Sequence, residues 1–220
     1  MKHSFNRILF VLTMLISFAI PAASEGISPE GWSPPASYDD IDIVIGNPDA
    51  PVTIYEYASL TCPHCKNFHE NIWPTVKAKW VDTGKVKLVY RHYPLDSSAL
   101  AASMTIQCLP EDRRVDALSL MFGSVDRWSQ SSDEFISIIQ EAFGDNYTIN
   151  EGQDLMSDLQ KCISREGFDK DVLAPSFDAY HNDVRSTPYF IVDGNRYPGV
   201  QSALDMDKII EESLLSKKGL

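Results

Sequence analysis

The fold of this chain is decided by residues 52–66, which read VTIYEYASLTCPHCK. The apolar run Val52–Tyr57 predicts a buried strand, and the segment Lys66–Trp80 behind the cysteines predicts a helix. Two cysteines spaced as CXXC at a strand–helix junction are the redox arrangement of the thioredoxin fold. Because backbone N–H groups at a helix N-terminus stabilise an anion, we expect Cys62 to be unusually acidic and to react as a thiolate.

The segments on either side of residues 52–66 predict further strands and helices. Apolar alternation predicts a short strand at Ile41–Ile45, and a third strand is predicted at Val86–Tyr93. Cys62–Thr83 is predicted as one helix with a kink at Pro74. Near the end of the chain, the turn dipeptide Asp193-Gly194 predicts a hairpin. Its strands are Tyr189–Val192 and Asn195–Tyr197, and the last helix is Ser202–Ser216.

Between these two halves the strand pattern almost disappears. Helical spacing of apolar residues predicts five helices, at Ala99–Leu109, Arg113–Phe122, Asp133–Phe143, Gly152–Arg165 and Phe168–Asn182. The order of elements predicts an α/β protein with a thioredoxin fold and an inserted all-helical domain. Its segments are a signal peptide (1–24), a loose N-terminal lead (25–40), the first part of the thioredoxin-like domain (41–96), the helical insertion (97–182) and the second part (183–220).

The first 24 residues have the three parts of a secretory signal peptide. Lys2 and Arg7 precede the apolar run Ile8–Ile20, and the small residues Ala22 and Ser24 offer a cleavage site. The alternative is an uncleaved membrane anchor, but the run is short for a bilayer span of about 20 residues. We therefore expect cleavage and export to the periplasm.

The net charge is acidic. It is −12 for the whole chain, and removal of Lys2 and Arg7 with the signal peptide would make it −14. Nucleic acids and anionic lipids attract basic surfaces, so this charge argues against both as partners.

Four cysteines allow three disulfide pairings, and their spacing favours Cys62–Cys65 together with Cys108–Cys162. We expect the second pair to be a structural disulfide, although a role in tuning the first pair stays open. A zinc site is the alternative for the CXXC, but the chain has no second CXXC or CXXH. We therefore expect no metal and no cofactor.

The segment Glu56–Cys65 with its CPHC tetrapeptide, the helical insertion and Thr187-Pro188 before a strand together resemble the DsbA family of exported thiol:disulfide oxidoreductases. The segment Asp42–Pro51 and the second cysteine pair are most similar to the alpha-proteobacterial branch. The resemblance covers nearly all of the mature chain. It implies an acidic catalytic cysteine and a strongly oxidising disulfide.

Within the motif, we expect Cys62 to be the nucleophile, exposed at the helix tip, and to form a mixed disulfide with the substrate. Cys65 lies one turn into the helix and is expected to be more buried and to resolve that intermediate. Pro63 suits the first helical turn, where a missing N–H costs little. His64 is expected to favour the Cys62 thiolate, through its charge or its N–H; the alternative is an ordinary exposed helix residue.

Three further residues complete the predicted site. Thr187-Pro188 stands where thioredoxin-fold proteins carry a cis-proline opposite the CXXC, so we expect Pro188 to be cis and Thr187 to pair with an extended substrate segment. Glu56 shares a strand face with Val52 and Ile54, so we expect a buried acid that exchanges a proton with Cys65, and not a solvated glutamate.

The leading hypothesis is a dithiol oxidase that introduces disulfides into exported proteins with free cysteines. A quinone-linked membrane partner of the DsbB type would reoxidise it. The alternatives are an isomerase or reductase of the same fold, for which a threonine before the proline leaves room, and a binding module with a structural CXXC. Isomerases of this kind dimerise through an extra N-terminal domain, and the short lead before the first strand favours a monomer.

Overall fold

The computed structural model describes residues 34–38, 40–143 and 154–219. The predicted signal peptide and most of the predicted N-terminal lead lie outside the described residues, as does the start of the helix predicted at Gly152–Arg165.

A five-stranded mixed sheet carries the fold, with the strand order β1-β3-β2-β4-β5. The strands are β1 (Ile43–Ile45), β2 (Val52–Ala58), β3 (Val86–His92), β4 (Tyr189–Val192) and β5 (Asn195–Pro198). Strands β2 and β3 are parallel, and the other neighbouring pairs are antiparallel. The alternation in β2 has the predicted effect, because Val52, Ile54 and Glu56 are all fully buried.

The connection from β2 to β3 is one helical run with two π-helical stretches. It consists of α1 (Pro63–Asn67), π1 (Phe68–Ile72), α2 (Trp73–Val76) and π2 (Lys77–Val81). The prediction of a single kinked helix at Cys62–Thr83 is therefore wrong in detail. Pro74 has no N–H to donate to the carbonyl four residues earlier, and its ring would clash with that carbonyl. The chain widens before it, so that the Trp73 N–H bonds the Phe68 carbonyl five residues back.

Among residues 40–143 and 154–219, five helices lie between β3 and β4, and one follows β5. They are α3 (Ser97–Cys108), α4 (Glu111–Trp128), α5 (Ser132–Phe143), α6 (Leu155–Ile163), α7 (Phe168–His181) and α8 (Ala203–Lys217). The thioredoxin fold with a helical insertion is confirmed. In the described part of the chain, no helix has both the length and the apolar content to cross a membrane.

Helix α4 extends past its predicted end at Phe122. Gly123 and Ser124 look like a break in the sequence, but Val125 and Trp128 continue the buried face of the helix at helical spacing. The Trp128 indole N–H donates to the Met121 carbonyl at 2.8 Å. Packing of the last turn therefore outweighs the low helix propensity of glycine.

The segment before β1 is anchored by a fully buried arginine in β3. The Arg91 guanidinium donates two hydrogen bonds to the Asp42 carboxylate, each 2.9 Å long, and a third to the Pro35 carbonyl at 2.6 Å. It also lies over the Tyr38 and Tyr55 rings, at 4.6 and 4.4 Å from their centroids. A planar cation that bonds bidentately and stacks on aromatic rings holds its partners in fixed positions.

The prediction of a loose lead is therefore wrong for residues 34–38. The first strand also begins later than predicted, at Ile43 instead of Ile41. The Ile41 N–H donates to the Tyr38 carbonyl at 3.0 Å, and Asp40 has a positive φ of 64°. Because of this turn, the backbone pairs with β3 only from Ile43 onward.

Candidate active site

The CXXC motif lies at the start of the first helical run. Cys62 is the residue that caps α1, with extended backbone angles (φ −76°, ψ 120°), and Pro63 occupies the first helical turn. Cys65 follows one turn later and is completely buried (0% exposed). Both cysteines are free thiols in this structure.

Cys62 is less exposed than the sequence predicted, at 6% of its surface. The reason is a contact from a distant part of the chain, because its thiol lies 3.4 Å from the Thr187 carbonyl. Cys62 thus lies at the helix tip as predicted, but the prediction that it is exposed is wrong. Access to its sulfur is limited by the loop before β4.

The Cys62 thiol is strongly acidic. A hydrogen bond from the Cys65 thiol lowers its pKa to about 5, helped by the Thr187 side chain and the backbone amides of Cys65 and His64, while burial opposes the change. Sulfur anions at helix N-termini are stabilised by such donors. Cys62 is therefore largely a thiolate near neutral pH.

The Cys65 thiol is perturbed in the opposite direction. Burial raises its pKa, and the hydrogen bond to Cys62 and the negative charge of Glu56 raise it further. The two cysteines therefore keep one proton between them, on Cys65, and one negative charge, on Cys62.

His64 and Pro63 are both exposed. The His64 backbone amide is among the groups that lower the pKa of Cys62. A role for the imidazole ring in tuning the pair stays a prediction. Pro63 begins α1, as the sequence predicted.

The Thr187–Pro188 peptide bond is cis, as predicted. Thr187 is buried. The Pro188 carbonyl accepts a hydrogen bond from the Gly199 N–H at 2.9 Å, which ties the loop to the end of β5. The role of Thr187 in pairing with substrate backbone stays a prediction.

Glu56 lies in β2, and its side chain is completely buried, so the alternative of a solvated glutamate is wrong. Its Oε1 is 3.0 Å from His69 Nε2, within hydrogen-bond distance. Its Oε2 has no partner among the described protein atoms. A buried carboxyl group with one free oxygen can accept or donate a proton within the site.

His69 was missed by the sequence reasoning as a site residue. It lies in π1, four residues after Cys65, and its ring stacks on Phe122 of α4 at 4.1 Å between centroids with planes 10° apart. The spacing from Cys65 was the available signal, because side chains four apart on a helix share a face. The same face carries Cys65 toward the sheet, where Glu56 lies.

Cys108 and Cys162 form the predicted disulfide, with an S–S distance of 2.02 Å and 5.9 Å between Cα atoms. The bond joins the end of α3 to α6 within the helical block. Cys62, Cys65, Glu56 and Thr187 are brought together at the end of β2, whereas this disulfide belongs to the helical block. Among the described residues, no group of three or more histidine, cysteine or acidic side chains is placed to hold a metal ion.

The chain is similar to several known proteins. A thioredoxin family model matches residues 39–212. A Rickettsia bellii protein named "Putative protein-disulfide oxidoreductase" is 29% identical over 185 residues, which are 80% of this chain and 67% of that protein. A Rickettsia conorii protein with a similar name is 27% identical over 79% of this chain and 62% of its own length. The chain thus spans about two thirds of the length of these relatives.

Among the solved structures, one protein is matched over nearly its whole length. The crystal structure of Wolbachia pipientis alpha-DsbA1 aligns with a TM-score of 0.68 and 25% identity, covering 86% of this chain and 99% of that one.

Proposed function

The chain belongs to the thioredoxin family and is a thiol–disulfide oxidoreductase of the DsbA type, and on this basis we propose that it donates a Cys62–Cys65 disulfide to folding exported proteins. The observation that carries the proposal is the opposite perturbation of the two thiols. Cys62 has a pKa lowered to about 5, and the pKa of Cys65 is raised. A stabilised Cys62 thiolate favours the reduced protein, so the disulfide form readily passes its oxidising equivalents to a substrate.

The reaction runs through a mixed disulfide at Cys62. A substrate thiolate attacks the Cys62 sulfur, the Cys62–Cys65 bond breaks, and Cys65 takes the electron pair and a proton. A second substrate thiolate then attacks the substrate sulfur of the mixed disulfide and releases Cys62. Because the pKa of Cys62 is low, it is a good leaving group, and this second step delivers the disulfide to the substrate.

Substrate recognition is proposed to involve the loop that covers Cys62. The Thr187 carbonyl oxygen lies 3.4 Å from the Cys62 sulfur in this structure. An extended substrate segment could pair with the Thr187 backbone, and main-chain pairing would accept many sequences. Such pairing suits an enzyme whose partners are unfolded or partly folded proteins with free cysteines.

We place the protein in the periplasm, exported through cleavage of residues 1–24. A quinone-linked membrane partner of the DsbB type would reoxidise it after each donation. Mass spectrometry of the protein recovered from the periplasm tests the export, and we expect a mature chain that begins at Glu25. Recovery of the uncleaved chain in the membrane fraction would support the anchor alternative.

The redox potential of Cys62–Cys65 tests the function itself. The mature protein is equilibrated in glutathione buffers with Cys108–Cys162 left oxidised. We expect a potential well above the value of about −270 mV typical of thioredoxin, with the reduced form more stable than the oxidised form. A potential near that of thioredoxin would support a reductase, and a pair that does not exchange at all would be a structural bridge.

Two substrates separate the oxidase from the isomerase. Reduced, unfolded ribonuclease A gains activity only if disulfides are donated, whereas ribonuclease with scrambled disulfides gains activity only if they are rearranged. We expect the oxidised protein to act stoichiometrically on the first and weakly on the second. The reverse result would favour the isomerase.

A further inference from the structure

Glu56 acts electrostatically on the buried inner cysteine, Cys65, and is hydrogen-bonded to His69. The Glu56 side chain is 0% exposed and the His69 side chain 7%, and the two are 3.0 Å apart. We propose that His69 is a positioning residue for disulfide exchange, which holds Glu56 in place and carries protons between Glu56 and solvent whenever Cys65 gains or loses its proton. This inference rests on the proposed function.

A proton must cross this region in each catalytic cycle. Cys65 is completely buried, and Glu56 acts on it electrostatically. When the Cys62–Cys65 bond opens, Cys65 leaves with the electron pair and needs a proton; when the bond forms again, that proton must be removed. Bulk water does not reach Cys65 directly, so a protein group has to hold the proton in between.

Glu56 alone does not complete the route, because its side chain is also completely buried. His69 is the residue that extends it outward, since its ring accepts hydrogen bonds at one nitrogen and donates at the other and can exchange these roles. Its ring is held by stacking on Phe122 and by the hydrogen bond to Glu56. The pair is thus fixed in orientation from both sides.

Tyr90 of β3 packs beside the pair, with its ring centroid 6.0 Å from that of His69. Cys65, Lys66 and Glu70 lie on the same helical run as His69, and Asp126 of α4 pairs with Lys66. Lys66 and Glu70 neutralise each other at 2.8 Å. Tyr90 is fully buried, and its pKa is raised well above the ordinary value by burial and by Glu56, so it stays protonated. His69 is left as the group on the outer side of Glu56.

The Cys62–Cys65 disulfide forms from a mixed disulfide between Cys62 and glutathione in the following steps. The Cys65 thiol gives its proton to the Glu56 carboxylate, and the Cys65 thiolate attacks the Cys62 sulfur. The bond between Cys62 and glutathione breaks, and glutathione leaves as a thiolate. The proton on Glu56 passes to His69 and from there to water. Disulfide donation to a substrate uses the same route in reverse.

The test separates the two chemical steps in one experiment. Reduced protein is mixed with oxidised glutathione, quenched with acid at timed intervals and analysed by mass spectrometry. The first step, formation of the Cys62–glutathione mixed disulfide, depends on the Cys62 thiolate. The second step, closure of Cys62–Cys65, depends on the proton of Cys65. The variants are His69→Phe, which keeps a ring to stack on Phe122, and His69→Gln, which keeps a hydrogen-bonding group.

We expect both variants to form the mixed disulfide within twofold of the wild-type rate and to close it roughly tenfold or more slowly. The mixed disulfide should therefore accumulate. The control is His181→Phe on the exposed end of α7, where a histidine ring contacts Tyr180, and it should leave both rates unchanged. Glu56→Gln combined with His69→Phe should close no more slowly than Glu56→Gln alone, because both act in one route.

Each contrary result is decisive. Equal slowing of both steps would mean that His69 only supports the structure. A wild-type closure rate in His69→Gln would mean that hydrogen bonding suffices and no proton passes through the ring. Multiplicative effects of Glu56→Gln and His69→Phe would place the two residues in separate routes. Failure of the wild-type protein to exchange with glutathione at all would instead overturn the proposed function.

Discussion

Cys62 and Cys65 are the same residue type, three positions apart, and their environments drive them to opposite protonation states. Cys62 ends an extended segment where donors converge on its sulfur: the Cys65 thiol, the Thr187 side chain and two backbone amides. Cys65 lies one turn further, buried and near the charge of Glu56. Hydrogen bonding stabilises the anion at the first sulfur, and desolvation opposes it at the second.

This asymmetry predicts the pH dependence of the redox potential. The pKa of Cys62 is lowered from 9.0 to about 5 in the reduced protein. Stabilisation of the reduced form is therefore complete above pH about 9, declines as the pH falls towards 5 and is lost below it. Between these values reduction takes up one proton, at Cys65, so the potential should fall by about 30 mV per pH unit; below pH 5 it takes up two and should change by about 59 mV.

Glutathione equilibration from pH 4 to 8 measures this slope, and the rate of alkylation of Cys62 by iodoacetamide gives an independent midpoint. We expect that midpoint near pH 5. A midpoint between pH 8 and 9, together with one steep slope throughout, would contradict the assignment of the thiolate to Cys62. The Cys62→Ala variant is the control for alkylation at other positions.

The sequence could predict which residue is the acidic thiol, since a helix N-terminus is a local feature. It could not predict that Cys62 would be largely covered, because the covering group, Thr187, is 125 positions away in the chain. The role of His69 could be predicted only in part. Its spacing from Cys65 was visible, but the pairing with Glu56 depends on how the helical run lies on the sheet.

At the scale of elements, periodicity was enough for most of the strands and helices. It predicted β4 residue for residue and the hairpin after it, because a buried strand followed by Asp193-Gly194 has few alternatives. It did not predict the π-helical stretches π1 and π2. These depend on hydrogen-bond geometry around Pro74 and further along, which a pattern of apolar residues does not record.

The burial of Arg91 also could not be predicted from the pattern of apolar residues. Strand β3 is buried on both faces, so its sequence has no alternation that would mark an arginine as a core residue. The guanidinium is nonetheless fully buried and hydrogen-bonded to Asp42, Pro35 and Tyr57. It joins the segment before β1 to strands β2 and β3.

Replacing Arg91 with methionine should lower the free energy of unfolding by about 3–5 kcal/mol, because the Asp42 carboxylate would be left buried without its partner. Urea denaturation of the mature, disulfide-intact protein measures this loss. Chymotrypsin should also cleave faster after Tyr38, which Arg91 now covers. Adding Asp42→Asn should recover part of the loss by removing the unpaired charge. A loss below about 1 kcal/mol would show that Arg91 contributes little to anchoring the segment.

At the scale of the whole molecule, the redox pair and the structural disulfide belong to different parts of the chain. Cys62 and Cys65 lie between β2 and the first helical run, whereas Cys108–Cys162 closes a loop of 54 positions within the helical block. In the proposed mechanism one pair opens in every turnover, whereas the other is expected to stay closed and to stabilise the helical block.

The Cys108→Ala/Cys162→Ala variant should be destabilised by about 4 kcal/mol on the loop-entropy estimate for a closed loop of this length. Thermal unfolding monitored by circular dichroism measures the change, with both proteins in the oxidised state at Cys62–Cys65. The alkylation rate of Cys62 in the reduced variant should stay within twofold of wild type. A large change in that rate with little change in stability would instead support the tuning role left open for this disulfide.

The internal disulfide has a further consequence for how the protein is made. Under the proposed function, the protein supplies disulfides to other exported chains and itself needs one, between Cys108 and Cys162. Under the same proposal, mature copies would oxidise newly made ones. The first copies would need another oxidant to join Cys108 and Cys162.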